Sequence, residues 1–570
     1  MNTTSTEARR RRCVGLRDMT IAVLALVAVG AAFAADNRER PVDRLQREAR
    51  GFYLLWSEGR PDEDALLSLP FVRGGQVVVQ WSEVEPAPGV YDFSALDARL
   101  ARYARRDAWT TVQVNGNTKP AWLFAVVPHV RERLHSQVRD PAGTLMFWHP
   151  RFQDAHLAMI AALGRHLRES PACAKLLGVR LNFNAVGTEQ FIVPAPLREP
   201  AAWEFPARGG AAGLQPYADE VRSEYARRVV EAYAQAFADW TVVFVRNSIE
   251  AGLAEQIAPD LRAGRLALFH TSSEAEPRAV GTERQYGRFV DFARSGQTVA
   301  YAEPWASAWG EHGGMVDHRW CSPAQWNYWT LLLNLHCGVS FIGEYYTNLH
   351  FAASGEPHAK ARDAADDDPR EFMAAYEWGS RYVGRHNLPA ESPGAWVAFR
   401  ENTEVKAQNA NVPPAGRQLA RFVGDYTWLM ERVDGDGSAG VGPVGPAEQR
   451  YGAFARRYPG GSAARLQLDP VFRRSLMGQA GLRIIYLDDG PAGKSPQGEV
   501  RLATPGGATR VGELRAGGTG RWQMAELAVS AAALQQAPAG WQLEVRAGER
   551  PLVLHLVEVL RSTSSGQFKK

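Results

Sequence analysis

The chain has few cysteines and lacks the common nucleotide-binding and serine-hydrolase motifs. It contains 4 cysteines in 570 residues and no C-x-x-C pair, so neither a disulfide framework nor a cysteine-rich zinc site organises the fold. No G-x-S-x-G, P-loop or dinucleotide-binding fingerprint is present, which leaves serine hydrolysis and nucleotide chemistry without a motif. His312, Asp317 and His318 lack zinc-site spacing, and the acidic cluster Asp363–Asp368 matches no calcium loop. We therefore expect chemistry that needs no metal and no cofactor.

The chain also has almost no net charge. It carries 65 basic and 62 acidic residues, and residues 1–34 hold five of the former and two of the latter. The remainder is balanced at 60 against 60. This balance argues against nucleic acid as the main partner.

Residues 1–34 are typical of a secretory signal peptide. Arg9–Arg12 and Arg17 precede the small and aliphatic run Thr20–Ala31, and an A-x-A site follows at Ala32–Ala34. The apolar stretch is shorter than the ~20 residues of a membrane span, although an uncleaved anchor is the alternative. We expect a secreted or periplasmic protein with no membrane association beyond this peptide.

From residue 51 to about 345 apolar runs alternate with amphipathic segments. Helical periodicity is found in Ala95–Arg105, Asp154–Arg168 and Glu220–Asp239. Eight strand-like runs surround these segments: Gly51–Trp56, Gly75–Trp81, Trp109–Asn115, Gly178–Phe183, Thr241–Val245, Arg265–His270, Thr298–Ala302 and Gly338–Ile342. Eight parallel strands with crossover helices predict an α/β fold, a (β/α)8 (TIM) barrel, over residues 35–394.

The composition changes near residue 395. Short alternating runs separated by Gly, Pro and Asp turns predict a β-sandwich-like C-terminal domain over residues 395–561. Such a domain could pack against the barrel or bind carbohydrate. Residues 562–570 are expected to form a disordered tail.

Two of the predicted barrel strands lead to a glutamate. Glu189 follows the fourth strand and Glu303 follows the seventh. Function in a barrel gathers at the carboxyl ends of the strands, so these carboxylates should face each other across its mouth. An acid and a carboxylate so placed cleave glycosidic bonds, with retention at ~5–5.5 Å separation and inversion at ~6.5–9.5 Å. Glu344, after the eighth strand, is the alternative second carboxylate.

Further side chains at strand ends are candidates for sugar binding. Tryptophan offers a stacking surface, and histidine or an amide can bind a hydroxyl. The substrate-binding candidates are Asn184, Trp81, Trp122, His270, Trp305, Glu344 and Tyr345.

A motif after the second strand resembles that of glycoside hydrolases of the β-galactosidase type, families 42 and 35: Trp81-Ser-Glu-Val-Glu-Pro-Ala-Pro-Gly-Val-Tyr-Asp-Phe-Ser-Ala-Leu-Asp97. Lys119-Pro-Ala-Trp122 resembles the exit of their third strand. The resemblance covers about residues 50–350 and implies that Glu189 is the acid/base and Glu303 the nucleophile. These families carry Asn directly before the acid/base, whereas Thr188 stands here, so Asn182 or Asn184 would supply the amide.

We therefore predict a secreted retaining glycosidase that acts on a β-linked oligo- or polysaccharide. Two alternatives remain from other classes. A carbohydrate-binding surface protein could keep the barrel without the chemistry, and it would bind sugar without needing Glu189 or Glu303. A polysaccharide lyase would use a Tyr or His base on uronates and release an unsaturated, ultraviolet-absorbing product.

Overall fold

A computed structural model describes residues 39–191, 217–247, 251–271, 288–304, 306–310, 321–356, 368–400, 424–433, 437–491 and 496–562. The predicted signal peptide, residues 563–570 of the predicted tail and the candidate Trp305 lie outside the described residues.

The first half of the chain forms a closed eight-stranded parallel barrel, as predicted. Neighbouring strands around the barrel follow the order β1-β10-β9-β8-β7-β6-β3-β2. A short antiparallel hairpin, β4–β5, lies outside it. The strands are β1 Gly51–Leu55, β2 Val72–Gln80, β3 Trp109–Asn115, β4 His129–Val130, β5 Thr144–Leu145, β6 Leu176–Arg180, β7 Val243–Arg246, β8 Leu266–Thr271, β9 Ala300–Glu303 and β10 Phe341–Tyr345.

Helices connect and surround these strands. Within the described residues none is long and apolar enough to cross a membrane. The helices are α1 Pro41–Glu48, α2 Glu63–Leu67, α3 Trp81–Val84, α4 Ser94–Ala104, α5 Ala121–Phe124, α6 Pro150–Glu169, α7 Asp219–Phe237, α8 Ala251–Arg262, α9 Arg288–Ser295, α10 Pro323–Cys337, α11 Tyr346–Ser354, α12 Pro369–Ser380, α13 Pro470–Ser475 and α14 Ala531–Gln536; 3₁₀ turns occur at Pro171–Cys173 and Pro389–Glu391.

Large aromatic side chains form one cluster with residues from most of the barrel strands. Tyr301 has its ring centroid 5.7 Å from that of Phe244 and 5.6 Å from that of Phe269, and Tyr53 contacts Phe341 at 5.9 Å. Helix α1 contributes Val42 and Leu45 to this cluster, and the strand residues include Trp109 and Leu177. These side chains fill the interior of the barrel, as side-chain layers do in such folds.

The C-terminal residues form two antiparallel sheets, which confirms the predicted sandwich-like region. One sheet has the order β12-β11-β22-β15-β14 with β17 and β20 joined through β22, and the other has the order β13-β16-β21-β18-β19. Their strands are β11 Gly394–Ala398, β12 Tyr426–Trp428, β13 Met430–Arg432, β14 Ala439–Val441, β15 Ala455–Tyr458, β16 Ala463–Leu468, β17 Gln479–Leu487, β18 Gly498–Thr504, β19 Gly507–Leu514, β20 Trp522–Ser530, β21 Leu543–Ala547 and β22 Leu552–Arg561.

Candidate active site

A cavity of about 400 Å³ opens where the barrel strands end. Both predicted catalytic glutamates, Glu189 and Glu303, line it. Strand ends supply much of the remaining wall: Gln80, Asn115, Arg180, Thr271 and Tyr345. The chain therefore places two carboxylates in one concave site at the end of the barrel where function is expected.

Glu303 is buried and paired with an arginine. It is the last residue of β9, and its carboxylate accepts hydrogen bonds from both terminal nitrogens of Arg180 at 3.1 and 3.2 Å. The guanidinium of Arg180 also lies over the ring of Phe269, 3.7 Å from its centroid. This two-point contact fixes both the position and the plane of the carboxylate.

Burial is the main reason that the pKa of Glu303 lies above its ordinary value. The guanidinium of Arg180 acts in the opposite direction, and the charge of Glu189 raises the pKa again. The two carboxylates therefore interact electrostatically, and Arg180 stabilises the ionised form of Glu303.

Glu189 lies on a tightly anchored loop after β6. The amide of Gly116 donates to the carbonyl of Gly187 at 2.6 Å and to the side-chain oxygen of Asn184 at 2.8 Å. The hydroxyl of Thr188 donates to Gln137 at 2.6 Å. Arg246, at the end of β7, approaches the Glu189 carboxylate to 3.9 Å. The buried Glu189 is thus held by contacts from three neighbouring segments.

Glycine is required at position 187 because of a close approach. A Cβ there would lie 2.7 Å from Cβ of Gln137 and 3.0 Å from the side-chain nitrogen of Asn117. Asn184 adopts a left-handed conformation, φ 53°, which Asn tolerates better than most residues. The turn between β6 and Glu189 therefore depends on both residue types.

A ladder of amide side chains forms one wall of the site. Gln76 donates to Gln113 at 3.0 Å, Gln113 donates to Asn115 at 2.6 Å, and Asn182 donates to the same oxygen of Asn115 at 2.8 Å. Gln113, Asn115 and Asn117 line the cavity, where amides can bind sugar hydroxyls. Asn182 and Asn184 are fully buried beneath this wall and do not line it.

An exposed tryptophan stands at the mouth of the cavity. Trp56 follows β1, lines the cavity, and is 51% exposed. Its φ of 56° is unusual for a bulky side chain and is typical of strained functional positions. An accessible indole beside two carboxylates is suited to stacking on a sugar ring.

Of the other predicted binding residues, the structure brings Tyr345 to the cavity. Trp81 starts α3 and is fully buried, where its indole nitrogen donates to Glu85 at 2.7 Å and its ring packs on Phe152. Trp122 and His270 do not line this cavity either; His270 is buried with its ring 5.2 Å from that of Phe289.

Glu344, the alternative second carboxylate, does not line the cavity either. It is buried, with Asn348 and Tyr376 donating to it at 3.5 and 3.3 Å. Burial raises its pKa to about 8, so this group holds its proton at neutral pH. The structure therefore places Glu303, and not Glu344, in the cavity with Glu189.

Several cavity residues were not predicted from the sequence. Arg180 carried the clearest signal, because a charged side chain at the end of an apolar strand needs a partner once it is buried. Trp56 closes the first predicted run but lies just after the observed strand. Arg60 and Arg139, which lie in loops, gave no local signal.

Comparison with known proteins confirms the resemblance seen in the sequence. The family model described as Glyco_hydro_42, beta-galactosidase, matches residues 72–177, from β2 to the start of β6. The matched residues lie within the closed barrel and make up about a fifth of the chain. A search of the curated proteins found no match to this chain.

The solved structures that the chain matches include a β-galactosidase, an endoglucanase and a xylanase, all of low identity. The β-galactosidase of the psychrophilic Marinomonas ef1 is 13% identical with a TM-score of 0.33, and the alignment covers 52% of this chain and 54% of that one. The GH5-4 endoglucanase of Clostridum cellulovorans is 10% identical, with a TM-score of 0.33 and coverage of 60% and 97%. Xylanase B of Clostridium stercorarium F9 is 12% identical, with a TM-score of 0.31 and coverage of 54% and 88%.

Proposed function

We propose that this chain is an exported retaining glycosidase that cleaves a β-linked oligo- or polysaccharide. The observation that supports it most strongly is that Glu189 and Glu303, from the fourth and seventh barrel strands, line the same cavity. The family match on residues 72–177 supports the same class of reaction independently. Export is proposed from the signal-peptide pattern of residues 1–34.

In this mechanism Glu189 starts as the acid. It donates a proton to the glycosidic oxygen while the ionised carboxylate of Glu303 attacks the anomeric carbon, and the aglycone leaves as an alcohol. A covalent glycosyl ester on Glu303 results. Glu189, now a carboxylate, takes a proton from water, whose oxygen attacks the anomeric carbon and frees Glu303.

The residues around the two glutamates suit Glu303 to the role of nucleophile and Glu189 to the role of acid and base. The bidentate contact from Arg180 keeps the Glu303 carboxylate ionised and aimed into the cavity. Arg246 approaches the Glu189 carboxylate to 3.9 Å, a looser contact than the two hydrogen bonds that Arg180 donates to Glu303. Trp56 would stack on a sugar ring at the entrance, and the amide wall would bind hydroxyls.

The decisive experiment is hydrolysis of a panel of aryl β-glycosides and β-linked polysaccharides by the wild type and by Glu189→Gln and Glu303→Gln. We expect each substitution to lower kcat by at least a thousandfold, because each removes one half of the carboxylate pair. An activated 2-fluoroglycoside should label Glu303, as mass spectrometry of the digested protein would show. Proton NMR of the first product should show the β anomer.

Glu344→Gln is the matched control. Glu344 is protonated at neutral pH and outside the cavity, so a glutamine there keeps its shape, its hydrogen bonds and the activity. Loss of activity in Glu344→Gln with retention in Glu303→Gln would refute the assignment of the nucleophile. Sugar binding without turnover, unaffected by either cavity substitution, would favour a binding protein.

A further inference from the structure

The cavity contains more arginine than its two carboxylates can neutralise. Glu303 is matched by Arg180 of the cavity wall at 3.1 Å, and Glu189 is matched at 3.9 Å by Arg246, which does not line the cavity. Two other arginines, Arg60 and Arg139, line the same cavity. Within the described part of the chain, neither of these two side chains makes an ion pair or a hydrogen bond, and both are exposed.

These two arginines lie on different loops at the mouth of the cavity. The guanidinium of Arg60, in the loop after β1, lies over the ring of Tyr346 with 4.9 Å to its centroid. The Tyr346 hydroxyl in turn donates to Asp62, which also bonds to Nδ1 of His350 at 2.5 Å. Tyr346 lines the cavity itself, so Arg60 is held at the entrance on a fixed aromatic surface.

Arg139 lies in the loop that connects β4 and β5, on the opposite side of β2 from Arg60. Its backbone amide donates to the carbonyl of Asn117 at 2.9 Å, and the side chain of Asn117 donates to the carbonyl of Gln137 at 2.8 Å. Gln137 also accepts from Thr188, next to Glu189. Arg139 is therefore tied to the same loop network that positions the acid.

We propose that the substrate of this cavity carries a negatively charged substituent, a carboxylate or a sulfate, that Arg60 and Arg139 bind. The whole chain has 65 basic and 62 acidic residues, so the excess at this mouth is local rather than a property of a basic protein. Guanidinium groups bind planar oxyanions through two parallel hydrogen bonds, and an anion here would replace water around two unpaired cations. That the bound sugar is hydrolysed rests on the proposed function. That the cavity binds an acidic sugar does not depend on it.

The test uses oligosaccharides that differ only in charge. Binding of β-1,4-linked glucuronate oligomers, β-1,4-linked glucose oligomers and sulfated glucose oligomers is measured by calorimetry on the Glu189→Gln protein, which keeps the Arg180–Glu303 pair intact. We expect the anionic oligomers to bind at least tenfold more tightly than the neutral ones, and added salt to reduce this preference. The uronate and sulfate arms identify which oxyanion is preferred.

Variants then assign the preference to the two arginines. Arg60→Gln and Arg139→Gln should each lower the affinity for the anionic oligomer severalfold, and the double variant should bind neutral and anionic oligomers equally. Arg510→Gln, an exposed position on β19, removes the same charge elsewhere and should change nothing. Equal binding of neutral and anionic sugars by the parent protein, no binding of either anionic oligomer, or a preference that survives in the double variant, would each overturn the proposal.

The same oligomers distinguish this inference from the proposed function. Hydrolysis of neutral oligomers with no preference for charge would support the glycosidase and refute the acidic substrate. Selective binding of anionic oligomers without turnover by the wild type would support the acidic ligand and refute the glycosidase. Release of an unsaturated, ultraviolet-absorbing product would show that the reaction is that of a lyase and not hydrolysis. The proposal of an acidic substrate would then be retained.

Discussion

At the scale of single residues, the proposed mechanism makes activity depend on the ionisation of Glu303 beside Arg180. Burial raises the pKa of Glu303, and Arg180 lowers it. The nucleophile must be ionised, so activity is lost as the pH falls through that pKa. The acidic limb of the pH profile should therefore lie above pH 4.5, the ordinary value for a glutamate.

Replacing Arg180 should move this limb to higher pH. Arg180→Met removes the cation that stabilises the ionised Glu303, so its pKa rises and activity is lost at a higher pH than in the wild type. An opposite charge favours the ionised form of a carboxyl, so its removal moves the pKa of Glu303, and the acidic limb with it, upward. The measurement is kcat/KM against pH.

Arg180→Lys is the matched variant. Lysine keeps the positive charge, so the acidic limb should return toward its wild-type position. It does not make the two-point contact, so kcat should stay below the wild-type value. An unchanged limb in Arg180→Met would show that Arg180 does not control the ionisation of Glu303.

At the scale of elements, the sequence predicted the barrel strands well because each is an apolar run bounded by polar residues or glycine. Boundaries shifted where the backbone turns. The fourth strand was expected at Gly178–Phe183 and is Leu176–Arg180, after which the chain departs toward the left-handed Asn184. The eighth begins later than expected because Gly338, φ 82°, ends α10 instead.

The site was predicted less completely, because it depends on contacts between distant segments. Arg180 and Glu303 are 123 residues apart, and a single sequence gives no sign of that pairing. Trp81 was expected to contact sugar because it follows a strand, yet it starts a helix whose buried side faces Phe152. Periodicity predicts where a strand ends but not the direction of the side chain that follows it.

The loop that carries Glu189 offers a prediction at this scale. Gly187→Ala places a Cβ 2.7 Å from Cβ of Gln137, so the loop must shift and Glu189 with it. A displacement near 1 Å at a catalytic group costs up to about a hundredfold in rate. We expect kcat to fall at least tenfold while the thermal midpoint changes by only a few degrees.

Gly506→Ala provides the control. A Cβ at Gly506 has no neighbour within 4 Å, so the same substitution there should leave both kcat and the thermal midpoint unchanged. Full activity in Gly187→Ala would mean that the close contact with Gln137 does not position Glu189.

At the scale of the whole molecule, the barrel and part of the C-terminal sheets share a hydrophobic cluster, and the sheets also enclose a core of their own. Every residue of α10 is buried. On this helix Tyr328 pairs with His555 of β22 at 3.3 Å, and Trp329 donates to the carbonyl of Tyr451 at 3.3 Å. A single hydrophobic cluster runs from the barrel helices to residues of β11, β12 and β22. The C-terminal domain therefore packs as a structural partner of the barrel.

Glu558 on β22 is the polar centre of this contact. Its buried carboxylate accepts from Trp378 at 2.8 Å, from the hydroxyl of Tyr382, and from Arg483 at 3.1 Å. Glu558→Leu leaves these donors without their acceptor, and breaking a buried pair costs about 3–5 kcal/mol. Urea unfolding should show a lower midpoint for both tryptophan fluorescence and activity, because the two parts share a hydrophobic cluster.

Glu526→Leu is the control, because it also removes a partner of Arg483 but leaves the buried carboxylate of Glu558 in place. Glu526 pairs with the same guanidinium at 2.9 Å, but its side chain is 52% exposed. An exposed pair contributes only about 0–1 kcal/mol, so this variant should unfold almost as the wild type does. Equal stability of the two variants would show that Glu558 does not join the domains. Barrel activity that outlasts the C-terminal transition in urea would show that they unfold separately.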